Sequence, residues 1–586
     1  METLVSTATR RNWSRLNVKW NGHKLTRRAN KTNSVRNIVP TEYYSNIENI
    51  PIIENIISTI DKLDVDLFSA MYSIALNIFN SEKLAEGVSS DKANVRKFIA
   101  EYSSLSINKE LMSYKLPNDE EDLLGLIYQS LCKEGDKNKR GLYYTPLHIT
   151  RKLTAHLIFS ESQTFFDPCC GSGSFLRSIK TVRPTQLYGV DCDRIAVMLC
   201  KANLILQYQY FEFYPNIYCF DFLSEQEAFD TDEKRMILGR KYDYIYTNPP
   251  WGAIIRNNSI SHNYGDAFSC FLHRASKMLS NNGSLMFLLP EAVLNVKTHA
   301  RLRAYLLDNY SVDKLHYLNN LFTGVTTRVV ALTISRSINC TTQIVSDKDT
   351  VEYIPTSTFR NSFNFMFLPT TSKDKFIVDL LKNKGKSTLA DSVWALGIVT
   401  GNNAEKLLDV PVDRSEAIYT GKEILPYRLL PNKKYIVYDR AQFQQAAKEE
   451  IYRAKEKLVY KFISNKLVFA YDNKGSLFLN SANIVIPNIP AMSILSALLF
   501  LNSELFQFAY NRLFGGVKIL KGNLSKLPFP YLTTAEDMRF SSIARQLVAG
   551  NTDLIYDANM EVYNYYNVAD KQIKYIKEVI GYGTTA

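Results

Sequence analysis

Cysteine is scarce in this chain, eight residues in 586, and no secretory pattern precedes them. That usage excludes a disulfide-stapled secreted scaffold and points to a reducing cytoplasm. Long hydrophobic runs are also missing, the longest lying around Ile494 to Leu501. It falls well short of the roughly 20 apolar residues that a membrane-spanning helix needs, so no membrane partner is expected. No second Cys or His pair stands at zinc spacing, and residues 1–120 lack the cluster of carboxylates and Lys that a nuclease uses. No metal site is therefore expected.

What is abundant is positive charge, a net +12 that suits a polyanionic partner but by itself licenses only solubility or non-specific binding. Its placement says more. Residues 1–36 carry nine Lys or Arg against one acid, Glu2, with little apolar periodicity. Residues 1–40 therefore read as a flexible basic arm, either a phosphate contact across DNA or a solvated tail; a transit peptide shares the composition.

Residues 247–252 read Thr-Asn-Pro-Pro-Trp-Gly, directly after the strand-like stretch Tyr242-Asp243-Tyr244-Ile245-Tyr246. Asn-Pro and Pro-Pro are ordinary turn signals. At a strand end, however, an Asn side chain, a rigid turn and an aromatic ring supply two acceptors for an amine and a plate on which a base stacks. An exocyclic amine is planar and weakly nucleophilic, so a site that methylates it must hold its hydrogens while the nitrogen rehybridises. Asn248, Pro249, Pro250 and Trp251 are accordingly the candidate catalytic residues.

Upstream, Thr164-Phe165-Phe166 runs into Asp167-Pro168-Cys169-Cys170-Gly171-Ser172-Gly173-Ser174, which reads as a buried strand, a tight glycine turn and a helix start. The phosphate-gripping Lys of a nucleotide triphosphatase loop does not follow. A second strand, residues 186–190, ends in Asp191, placed to bind ribose hydroxyls. A third ends in Asp221-Phe222, an acceptor and a ring suited to an adenine. Asp167, Asp191, Asp221 and Asn248 all fall at strand C-terminal ends, where a doubly wound sheet binds its ligands. Asp266 opens a helix and reads as a cap.

Taken in order, these motifs resemble the N6-adenine DNA methyltransferases in which the cofactor motifs come first and a recognition domain follows, as in TaqI-type enzymes and type I or type IIG modification proteins. The resemblance begins at Asp122-Leu123-Leu124-Gly125 and Gly141-Leu142-Tyr143-Tyr144-Thr145-Pro146 and continues to Phe287-Leu288-Leu289-Pro290 and Leu321-Phe322-Thr323-Gly324-Val325. It implies S-adenosylmethionine as cofactor, held by Tyr144, Thr145, Pro146, Asp167, Gly171, Gly173, Asp191, Asp221 and Phe222. It also implies a flipped base stacked between Trp251 and Phe322. The family usually has Tyr where this chain has Trp251.

The fold expected is α/β: a Rossmann-like S-adenosylmethionine-dependent methyltransferase domain over residues 136–345, with a helical region before it, 41–135, where apolar residues recur at helical spacing. Beyond about residue 345 the α/β rhythm fades. Segments such as Leu396-Gly397-Ile398-Val399-Thr400-Gly401 and Lys521-Gly522-Asn523-Leu524-Ser525-Lys526 resemble a TaqI-like mixed α/β target-recognition domain, expected over 346–535. Within it Arg453, Lys457 and Lys461 interleave with Tyr452, Tyr460 and Phe462, chemistry suited to phosphates and bases or to an amphipathic element with a wet basic face. Lys518, after Gly515-Gly516-Val517, is a further candidate DNA contact. Residues 536–586 read as a helical segment that packs back on the N-terminal helices.

The resemblance implies transfer of a methyl group to adenine N6 at specific sites in double-stranded DNA, with a specificity or restriction subunit as a further partner left open. An RNA or protein-glutamine amine methyltransferase uses the same Asn-Pro-Pro-aromatic logic, and a modification subunit that needs a partner keeps the same motifs.

Overall fold

The computed structural model describes residues 43–581 except 45, 82–91, 118–121, 133–144, 181–182, 225–230, 252–263, 265, 319–327, 347–348, 363–364, 369–370 and 516–517. Two compact units meet in sequence between Phe367 and Leu368. The expected boundary at residue 345 lies 22 residues earlier (367 minus 345), because one further strand, Val351–Pro355, extends the sheet of the first unit.

That sheet has nine strands: β1 Phe165–Asp167, β2 Leu187–Asp191, β3 Asn216–Cys219, β4 Tyr242–Thr247, β5 Leu279–Pro290, β6 Ser311–Tyr317, β7 Val329–Ser335, β8 Thr341–Val345 and β9 Val351–Pro355. Their order is β3-β2-β1-β4-β5-β7-β6-β8-β9. β1 to β5 are mutually parallel, and β7 runs antiparallel between β5 and β6. The order reverses between β1 and β4, and the crevice beyond the carboxyl ends of those two strands is where such a sheet admits a ligand.

Adjacent residues on β1 face opposite sides of the sheet, as the pleat requires. Phe165 enters a core shared with the helices Ile50–Lys62, Leu67–Ser81, Ala93–Glu101 and Leu123–Leu131. Phe166 enters the other core with Val190, Phe222 and Leu272, and stacks on Tyr242 with ring centroids 4.4 Å apart. Both faces being covered accounts for strands that are almost continuously apolar. Carboxylates start the crossover helices: Asp193 accepts from Ile195 N at the start of Arg194–Gln207, and Asp266 from Ser269 N at the start of Ala267–Lys277. The cap reading of Asp266 is borne out.

In the second unit, Val393–Leu396, Ala482–Ile486, Lys457–Lys461 and Phe469–Asp472 form an antiparallel sheet in that order. A three-stranded sheet joins Lys434–Val437, Ser415–Tyr419 and Leu477–Phe478. The helices Ile494–Asn502 and Glu504–Leu513 are received by Thr534–Val548, Ile555–Tyr565 and Asp570–Gly581. The C-terminal helices thus bury their apolar stripe against helices of their own unit. Phe500 is the reason: its ring meets Phe540, Tyr565 and Tyr566. Among the described residues no helix is long and apolar enough to cross a membrane, and all eight cysteines are free.

Candidate active site

Asp167 ends β1 and is 2% exposed. Its Oδ1 accepts the Thr247 hydroxyl at 2.5 Å and the Cys169 amide at 3.1 Å. Burial pushes its carboxyl up to about 7, against the hydrogen bonds from Thr247 and Cys169, while the nearby charge of Asp191 adds to the rise. The turn that follows doubles back through two left-handed glycines, Gly171 at φ 53° and Gly173 at φ 96°. A Cβ on Gly173 would lie 2.8 Å from Cys200 Sγ, so both the conformation and the space demand glycine.

Asp191 ends β2 and fastens this turn. Its Oδ2 accepts the Gly171 amide and its Oδ1 the Asp193 amide, each at 2.9 Å. Burial raises its carboxyl to about 6, opposed by those same amides. Asp221 follows β3 with an exposed side chain whose Oδ1 also accepts the Leu223 amide at 2.9 Å. Three carboxylates therefore stand at the carboxyl ends of three neighbouring strands.

β4 ends beside β1. Asn248 is half-buried and Pro249 buried. Cys169 Sγ lies 2.9 Å from Thr247 Oγ1 and 3.3 Å from the Asn248 carbonyl oxygen, so the glycine turn and the Asn-Pro-Pro-Trp segment touch. This accounts for the Cys pair at positions 169 and 170: one thiol bridges the two loops and the other is buried. Burial, with the charge of Asp167, pushes the Cys169 thiol well up. Trp251 packs on both cores and donates its indole N–H to the Leu288 carbonyl at 3.2 Å, which ties the ring to β5.

Several expected residues stand differently. Phe222 is 2% exposed and packs between Phe166 and Phe271, so it is a core ring and not an open plate for an adenine; the apolar face of the sheet claims it. Tyr144 and Phe322 lie outside the described residues, as do Gly516 and Val517. Thr145 and Pro146 are buried at the start of the helix Leu147–Thr154. Sequence reasoning assigned no role to Asp122, whose carboxylate accepts the Gly125 amide, Asn203 Nδ2 at 2.9 Å and the Ser172 hydroxyl, and lies 3.5 Å from Arg177. Its signal is an acid directly before an apolar run, the mark of an N-cap.

In the second unit Lys457 has no exposed side chain and sits 2.5 Å from Asp472 Oδ2. It is not available to a phosphate: buried at the start of its strand, its charge is paired with Asp472. Arg453 is gripped by Glu416 and Glu449, and Tyr452 and Tyr460 are buried, so the expected strip of bases and rings does not face outward as a unit. Lys461 is half-buried and Lys518 exposed. Ile463 and Lys518 form an antiparallel bridge and Ile519 N donates to the Phe462 carbonyl at 2.9 Å, so these two lysines come from adjoining segments.

The strand order, the glycine turn after β1 and the acidic ends of β2 and β3 define a methyltransferase-type α/β domain, with the Asn-Pro-Pro-Trp segment at the end of β4. Comparison with known proteins agrees. Residues 119–365 match the N-6 DNA Methylase family and residues 416–529 the TaqI-like C-terminal specificity domain. The type II methyltransferase M.VspI of Vibrio sp. (strain 343) is 29% identical over 313 residues, 51% of this chain and 74% of that protein. The type II restriction enzyme and methyltransferase RM.BcgI of Heyndrickxia coagulans is 23% identical over 252 residues, 40% of this chain and only 37% of that protein. In fold the chain is similar to the type IIL restriction-modification enzyme MmeI, solved with DNA, at a TM-score of 0.59 and 12% identity, covering 92% of this chain and 99% of that one. It is also similar to the DrdV–DNA complex, at a TM-score of 0.51 and 13% identity, covering 93% and 73%. Residues 119–365 thus carry an N-6 DNA methylase domain and residues 416–529 a TaqI-like specificity domain.

Proposed function

We propose that this protein methylates the N6 amine of an adenine flipped out of duplex DNA at a specific sequence, using S-adenosylmethionine. The observation that carries the reading is the contact between the glycine turn and the Asn-Pro-Pro-Trp segment through Cys169 and Thr247, which puts a cofactor cradle and an amine-binding motif side by side. The residues fit the cofactor: Gly173 offers a cradle that a side chain would fill, and Asp191 and Asp221 offer acceptors for hydroxyl and amine groups. When bound, S-adenosylmethionine supplies an electrophilic methyl group.

Asn248 Oδ1 and the Pro249 carbonyl accept the two hydrogens of the target amine and draw its lone pair out of the ring plane. The same two oxygens steady the positive charge that develops on nitrogen as it attacks in line. Trp251, anchored to β5, supplies the stacking face, and the Pro-Pro turn keeps the acceptors from collapsing onto one another. The amine is itself the nucleophile, so no residue of the chain becomes covalently modified. Unpairing the base costs a few kcal/mol, recovered by these contacts. DNA contacts in the specificity domain fall to Lys461 and Lys518.

The test is transfer of labelled methyl from S-adenosylmethionine to unmethylated genomic DNA, with Asn248→Ala as control, followed by mapping of modified adenines. Label confined to adenines in one short motif is the expected result. Cofactor binding without DNA labelling would overturn the stand-alone reading in favour of a required partner subunit, or of an RNA or protein amine.

A further inference from the structure

The helix Leu123–Leu131 is buried along its whole length, yet it carries a glutamine. Gln129 is 6% exposed, and its side-chain oxygen makes no hydrogen bond. Asp122, Gly125 and Gln129 recur at spacings of three and four and so share one face of the helix. With Thr145, Pro146 and Ser174 they line a small pocket of about 20 Å³ that opens to solvent.

That face is pressed against the glycine turn. A Cβ on Gly125 would lie 2.3 Å from Asp122 Oδ2 and 2.5 Å from the hydroxyl oxygen of Ser172, the residue between the two left-handed glycines. Asp122 is fully engaged there by Ser172, Asn203 and its own helix N-terminus. Gln129 is not. A buried amide with an unsatisfied oxygen is costly, and a native fold keeps one where something else completes it.

We propose that Gln129 is a cofactor-binding residue that takes the amino-acid end of S-adenosylmethionine. Its Oε1 accepts from the α-ammonium group and its Nε2 donates to the α-carboxylate, with the Thr145 hydroxyl as a second donor to that carboxylate. A neutral amide offers both an acceptor and a donor to a zwitterion. The assignment rests on the reading that the glycine turn holds this cofactor.

The experiment is calorimetric titration of wild type and Gln129→Leu with two nucleosides, S-adenosylhomocysteine and 5′-methylthioadenosine. Both carry the adenosine and the sulfur; only the first carries the amino-acid end. Gln129→Leu is expected to lower affinity for S-adenosylhomocysteine about ten-fold or more and to leave that for methylthioadenosine unchanged. Unchanged binding of S-adenosylhomocysteine, or an equal loss for both ligands, overturns the assignment while the cofactor reading stands. A wild-type protein that binds neither nucleoside overturns both. If the leucine variant does not fold, Gln129→Asn, which keeps the amide one methylene short, supports the same comparison.

Discussion

Thr247, the last residue of β4, donates its hydroxyl to Asp167, the last residue of β1, at 2.5 Å. The bond crosses the point where the strand order reverses and joins the two loops of the site. Thr247→Val removes the donor without changing the shape and leaves a buried carboxylate with one fewer partner. The expected cost is about 1–3 kcal/mol of stability, with weaker cofactor binding. Thermal melts and calorimetry on the variant check both.

Asp167 also predicts a pH dependence. Its folded value of about 7 lies above the ordinary 3.8, so the native state holds the proton more tightly than the unfolded chain. Its contribution therefore favours the unliganded fold at acid pH and is lost as pH rises from about 4 to about 7. Asp167→Asn, neutral throughout, is expected to melt higher than wild type at pH 8 by an amount equivalent to about 1–4 kcal/mol, with the gap closing toward pH 4. A gap that does not change with pH contradicts this.

Asn248→Ala leaves the glycine turn, Asp191 and Asp221 untouched. Methyl transfer is expected to fall by about 10²–10³ or more, while cofactor affinity stays within about two-fold. Single-turnover labelling beside calorimetry separates the two. A variant that still methylates at the wild-type rate removes Asn248 from the chemistry.

Gly173→Ala meets both a left-handed backbone and Cys200 Sγ at 2.8 Å. The expected loss is about 1–3 kcal/mol, together with loss of cofactor binding. Gly173→Ala combined with Cys200→Ala relieves the contact but not the backbone, so only part of the loss should return in denaturant melts.

The two lysines of the specificity domain should behave differently. Lys457→Met strands Asp472 in the core and is expected to cost about 3–5 kcal/mol of stability. Lys518→Ala should leave stability within about 0.5 kcal/mol but weaken DNA binding and reduce the salt slope by about one. DNA-binding titrations over a range of salt, paired with melts, distinguish them.

Much of the site was legible because its residues sit at strand ends, and strands announce themselves by apolar runs closed by polar residues. Asp167, Asp191, Asp221 and Asn248 follow that rule, and the positive φ at Gly171 and Gly173 follows from a turn that must return into a helix. Phe222 was misread because a ring after an acid looks the same in sequence whether it faces a ligand or a core; packing against Phe166 and Phe271 decided it. Lys457 and Arg453 were misread for a similar reason. Charge is visible in a sequence, but the acid that neutralises it can lie far along the chain: Asp472, 15 residues from Lys457 (472 minus 457), is brought in by strand pairing, and Glu416, 37 residues from Arg453 (453 minus 416), by tertiary packing.

The sequence by itself determined the strand-end chemistry, the glycine turn and the order of motifs along the chain, because each depends on residues a few positions apart. Only the tertiary structure decided that Cys169 and Thr247 join the two loops, that the C-terminal helices pack around Phe500, and that Gln129 is buried with its oxygen unsatisfied. Those depend on which elements meet across the core, and that is set by how apolar faces are shared among distant segments.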